Sequence, residues 1–281
     1  MLNPDRCQPS ECGSRIKKAS SRCDICIIIL ISERISREPT DLSRSAVEEK
    51  DIVAVADIGS VIDLRDFAEK FSDPAGDFLT SRHALPFPDE RITVDVLAPA
   101  GSGVVERLPA DTFLFVLAGS LSLNGTETGV NEGLIITAGT TFDWKAPVGT
   151  KLIRMQVQSP ETAAPAIIKI DTDVPLSPSS PPPAQYLTGP TPDCENSIAW
   201  RSADGQFYGG IWASTPYYRR PVPYAHYELM FLCEGSVTFV SEEGERRTFN
   251  AGDVFIVGRG AVWAWDSECA VRKMFVIFRP A

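Results

Sequence analysis

The chain has 281 residues, enough for one large domain or two small ones with a substantial core. Its 27 basic and 37 acidic side chains give a net charge of −10, which argues against a nucleic-acid partner, since phosphate binding needs a basic face. The longest apolar run, residues 25–31, is too short to span a bilayer, and no basic cluster flanks an apolar helix, so neither membrane insertion nor membrane-surface binding is expected.

Basic residues precede that run, but Glu33 and Arg34 follow it where a cleavage site of small residues should stand. It is therefore a poor signal peptide, and a cytoplasmic location is expected. Cys7, Cys12, Cys23 and Cys26 include one CxxC and could form a four-thiolate zinc site. The CxxxxC spacing of the first pair and the lack of a knuckle glycine favour the other reading, a disordered or non-native leader over residues 1–50.

Residues 63–71 place Leu64, Phe67, Ala68 and Phe71 at helical spacing, predicting a short amphipathic helix. Short strands follow: an alternating one at 92–97, a buried run at 113–117, then 134–137 and 152–157, with Asn124-Gly125 as a tight hairpin turn. Residues 171–193 carry Pro175, Pro178, Pro181, Pro182, Pro183, Pro190 and Pro192 and read as an extended linker. Strands resume at 198–200, 207–213 and 217–224 and lead into residues 225–239. That last stretch repeats residues 110–123: in both, an apolar run meets a Gly-Ser pair and enters an alternating strand. Gly119 aligns with Gly235. After a longer hairpin loop in the second copy, Gly133 aligns with Gly252, Trp144 with Trp263 and Met155 with Met274. The pattern is an internal duplication of an antiparallel β unit.

Glu228 followed after six residues by Gly235 resembles the end of the first cupin motif, and residues 252–263 resemble the second. The closing residues 272–277 are similar to the subfamily of ethanolamine-utilisation cupins and ureidoglycine aminohydrolases. The resemblance covers roughly residues 90–160 and 205–279. It implies an all-β fold of two cupin jelly-roll barrels in tandem, with a first barrel over 51–170, the Pro-rich linker, and a second over 194–281. Exposed edge strands and surplus aromatic residues then predict a homodimer.

The family's metal site draws two His and a Glu from the first motif and a His from the second. Here Glu228 matches, but the two His positions fall on Val222 and Tyr224, or on Pro221 and Pro223 if the spacing varies, and the last on Trp263; the first unit has Thr112 and Trp144 instead. No cofactor is expected; the alternative is a weakly bound divalent transition metal on His226 and Glu228, which lie one residue apart and point the same way. His226 and Glu228 form either a hydrogen-bonded pair that satisfies a half-buried carboxylate or an acid/base dyad. With Tyr224, Trp212, Trp263 and Met230 they are expected to line a pocket for a small polar or cationic ligand. Two functions stay open: a small-molecule binding protein, or a small-metabolite enzyme such as an isomerase, lyase or amidohydrolase using His226 and Glu228.

Overall fold

The computed structural model describes residues 61–71, 77–78, 83–158 and 164–281. The expected leader and its four cysteines lie outside the described residues. Within them the chain is all-β apart from the helix Leu64–Glu69 and a 3-10 turn at Ala184–Tyr186. The helix starts where Asp63 accepts hydrogen bonds from the backbone N–H groups of Arg65, at 2.8 Å, and Asp66, at 3.1 Å, satisfying two orphan donors. It buries Leu64, Phe67 and Ala68, the apolar face expected from their spacing.

The strands form two sandwiches. The first pairs a six-stranded sheet with a four-stranded one. The large sheet runs Ile167–Lys169, Gly133–Ile136, Asp111–Ala118, Lys151–Val157, Ile92–Leu97, His83–Ala84. The second pairs a seven-stranded sheet with another of four. Its large sheet runs Val61–Asp63, Val254–Val257, Tyr227–Glu234, Val271–Phe278, Phe207–Ser214, Cys194–Arg201, Ser177–Ser179. The duplicated strands occupy the same places in both sheets: Asp111–Ala118 and Tyr227–Glu234 are each flanked by a four-residue strand and by the strand bearing the aligned methionine. The Gly-Ser pair turns each chain sharply. Gly119 and Gly235 have φ of +72° and +79°, and a Cβ would meet Thr150 at 2.6 Å or the Ala270 carbonyl at 2.1 Å, so only glycine fits.

Each sandwich has its own core. Leu114, Val116, Leu121, Leu134, Phe142 and Trp144 fill the first; Met230, Leu232, Phe239, Phe255, Trp263 and Trp265 fill the second. A third core lies between the two large sheets, where Phe113, Phe115, Ile135 and Met155 of one meet Leu229, Phe231, Met274 and Val276 of the other. Both faces of the inner strands of each large sheet are therefore buried. This explains why 113–117 and 229–232 are apolar at every position rather than alternating.

Two boundaries differ from the sequence reading. The strand Val61–Asp63 falls within the span expected for the first barrel, yet it pairs with Val254–Val257 at the edge of the seven-stranded sheet. The Pro-rich stretch supplies the opposite edge: Ser177–Ser179 pairs with Cys194–Arg201, with Pro178 tolerated because an edge strand can lack a donor. Arg272 holds the stretch through hydrogen bonds to the Thr172 and Val174 carbonyls, at 2.9 and 2.8 Å.

Candidate functional site

On the strand Tyr227–Glu234, Tyr227, Leu229 and Phe231 join the core between the sheets, while Met230 and Leu232 join the core of the second barrel. Successive side chains alternate, so Glu228 faces the barrel interior with Met230. On the neighbouring strand, Met274 and Val276 face the inter-sheet core, which turns Lys273 inward as well. The two charges meet: Lys273 Nζ donates to Glu228 Oε1 at 2.9 Å. Each residue is only 7% exposed.

His226 occupies a bend just before the strand and contacts Glu228 Oε2 through Nε2 at 3.1 Å. Its Nδ1 lies 3.3 Å from an Arg279 guanidinium nitrogen. A guanidinium can only donate, so Nδ1 accepts, and Nε2 carries the proton that goes to Glu228. Both contacts are satisfied by the neutral imidazole. Burial alone would raise the Glu228 carboxyl; the Lys273 ammonium and the His226 hydrogen bond outweigh burial and hold it far below the usual carboxylate range. Lys273 is also boxed by aromatic rings: Nζ lies 4.8 Å from the Trp212 centroid and 4.9 Å from that of Trp265, with Met230 Sδ at 3.1 Å.

His226, Glu228, Lys273 and Trp212 line a cavity of about 490 Å³ with Arg201, Tyr208, Phe275 and Arg279. The Arg201 guanidinium lies over the Tyr208 ring, 4.0 Å from its centroid. His226, Glu228 and Trp212 thus come together on this cavity. Tyr224 is buried beside it, its ring 5.8 Å from that of His226 and its hydroxyl pushed up by burial. Trp263 and Met230 sit in the apolar core of the barrel, not among the residues that line the cavity. Lys273, Arg201 and Arg279 were missed. Lys273 could have been found from strand parity, as a lone cation on the inward face of an apolar run. A larger cavity of about 800 Å³ lies under the Pro-rich stretch, lined by Asp193, Cys194, Glu195 and Glu234. Burial raises the Cys194 thiol, which gives that space no activated nucleophile.

His226 and Glu228 are a poor fit for a divalent ion. Both carboxylate oxygens and both ring nitrogens are already engaged, one oxygen by an ammonium, and among the described residues no group of three or more His, Cys, Asp or Glu converges.

Residues 201–275 match the model of the EutQ-like cupin domain. The chain is similar to a Pseudomonas syringae pv. tomato protein of unknown function from the DUF861 family, at 29% identity and TM-score 0.67, over 73% of this chain and 90% of that one. It shares its fold with a cupin 2 conserved barrel domain protein of Leptotrichia buccalis, at 12% identity and TM-score 0.51, over 81% and 98% of the two chains. No protein of curated function matches the sequence. The matched segment thus supplies Arg201, Tyr208, Trp212, His226, Glu228, Lys273 and Phe275 of the cavity, and the chain as a whole has an all-β, cupin-like jelly-roll fold.

Proposed function

We propose that the chain is a bicupin whose second barrel binds a small organic anion, most simply a carboxylate, by direct contact with side chains. The observation that carries this is the charge balance of the cavity. Lys273, Arg201 and Arg279 line it against one carboxylate, and both oxygens of that carboxylate are already hydrogen-bonded. Glu228 therefore has little left to offer a cationic ligand, one of the two classes, polar or cationic, that the sequence left open. Arg201 and Arg279 are both exposed and stand ready to receive a carboxylate in their planar donor forks. Trp212, Phe275 and Ile277 supply an apolar wall for the carbon skeleton. The first barrel is scaffold in this reading. Its inward Asp95 and Arg154 pair with each other at 2.9 and 2.6 Å, and Gln156 donates to Thr112.

The test is a thermal-shift and calorimetric comparison of small mono- and dicarboxylic acids with small amines of matched skeleton. Acids should raise the melting temperature and quench tryptophan fluorescence. Arg279→Ala should weaken the best acid by roughly 1.5–3 kcal/mol, the range for a hydrogen bond to a charged group. Binding of the amines and not the acids would end this reading.

A further inference from the structure

We infer that Lys273 is a built-in cation that takes the electrostatic place of a divalent ion in the second barrel, and that its removal turns Glu228 and His226 into a metal site. The inference rests on the reading of this cavity as the functional one, and it assigns that cavity's internal cation to the chain itself.

Three observations carry it. The first is position. Lys273 Nζ lies 2.9 Å from Glu228 Oε1, and Glu228 Oε2 is held by His226, so an incoming ion would have to displace an ammonium tethered to the strand. The second is support. Nζ is held between the Trp212 and Trp265 rings and against Met230 Sδ, contacts that suit a monocation and would offer a hard divalent ion no oxygen ligand. The third comes from the other half of the chain. The residue before Met155 is Arg154, as Lys273 precedes Met274; it is 4% exposed and neutralised by Asp95. Both barrels thus carry a buried cation at the corresponding place, each with its own carboxylate, although the acid comes from a different strand in each: Asp95 from Ile92–Leu97, Glu228 from Tyr227–Glu234. A charged side chain at this place is a feature of the duplicated unit, not an accident of one loop.

The physical consequence is a switchable preference. With the ammonium present, a divalent ion must overcome its repulsion at close range in a site of low dielectric. With the ammonium gone, Glu228 is a buried carboxylate lacking that counter-charge, and His226 becomes a second ligand once Nε2 releases its proton to solvent as the metal binds. The cheapest neutraliser is then a cation from solution.

The experiment measures manganese alone, with no organic acid present. Unfolding is followed for the native protein, Lys273→Arg and Lys273→Met, each in EDTA and in excess MnCl2. The native protein and Lys273→Arg should melt at the same temperature in both. Lys273→Met should melt lower in EDTA, recover in MnCl2, and show one-site manganese binding at least about tenfold tighter than native. That gain should vanish in a Lys273→Met/Glu228→Gln double variant. If Lys273→Met folds only in MnCl2, the inference holds in its strongest form. Native one-site manganese binding that Glu228→Gln abolishes would overturn it, as would a Lys273→Met protein that behaves alike in both solutions, folded or not. A native protein that ignores both manganese and carboxylic acids would sink the anion-binding reading and leave this one standing.

Discussion

Phe115 and Phe231 meet across the plane where the two sandwiches join, their ring centroids 4.9 Å apart. They lie on the two strands that the repeat makes equivalent, Asp111–Ala118 and Tyr227–Glu234, each the third strand of its large sheet with a partner strand on both sides. Phe115 is wholly buried and Phe231 nearly so, and Gly133 is packed so closely there that a Cβ would approach Met274 Sδ to 2.6 Å. Phe115→Ala and Phe231→Ala should each cost about 3–5 kcal/mol. The double variant should cost less than their sum, because the rings share one contact. Urea unfolding measures this; a loss below about 1 kcal/mol in either single variant would show that the interface repacks easily.

The same joint predicts that the second barrel does not fold alone. A fragment of residues 171–281 would lack Val61–Asp63, whose Ile62 pairs with Ile256, and would expose Leu229, Phe231, Met274 and Val276 to water. The edge left at Val254–Val257 and the bared apolar face should make it aggregate. Circular dichroism and light scattering would show a sharp unfolding transition and a monomer mass if this is wrong.

Much of this was legible in the sequence, for identifiable reasons. The duplication shows because positions such as Gly119 and Gly235 tolerate one residue type, and the inward turn of Glu228 follows from its place one residue from Leu229. The short helix was visible from Leu64, Phe67 and Ala68. Pairings between segments distant in sequence were not. Nothing local in Val61-Ile62-Asp63 says that it joins a strand almost two hundred residues away. Trp263 was placed on the cavity because its motif position suggested a ligand; its bulk instead packs it into the core. Lys273 escaped because a lysine in a closing strand reads as exposed until the parity of its neighbours is followed. Missing it left Glu228 looking like a free carboxylate, when one of its oxygens is taken by the ammonium.

The buried pair of the first barrel offers a contrast between breaking and replacing an ion pair. Asp95 is fully buried and Arg154 nearly so, and they face each other directly across paired strands. Arg154→Met alone strands a carboxylate in the interior and should cost about 3–5 kcal/mol. Asp95→Leu with Arg154→Met removes both charges and should recover most of that loss. Chemical unfolding of the two variants settles it: a double variant as unstable as the single would mean the pair does more than neutralise itself.

Two buried carboxyls should give this protein opposite responses to pH. Glu228 is held below the ordinary carboxylate range in the folded state despite its burial, chiefly by Lys273. Its contribution is therefore complete above the unfolded-state value and is lost as pH falls through the folded one. Asp111 is the reverse. It is fully buried, its Oδ1 accepts from the Ala138 N–H at 2.8 Å, and its Oδ2 has no partner among the described residues. Burial raises it, outweighing that hydrogen bond, so its contribution is present below the unfolded-state value and is lost as pH rises through the folded one. Glu228→Gln should accordingly destabilise at neutral pH by about 3–5 kcal/mol, since it leaves Lys273 buried without a counter-charge, and the penalty should shrink in acid. Asp111→Asn should be near neutral in acid and stabilising by roughly 1 kcal/mol or more at neutral pH, each unit of pKa displacement being worth about 1.4 kcal/mol. Urea unfolding of native protein and both variants between about pH 3 and pH 8 separates the two effects, because the differences slope in opposite directions. If Asp111→Asn loses stability at neutral pH as Glu228→Gln does, Asp111 is ionised and paired in solution, and its Oδ2 has a partner that this structure does not contain.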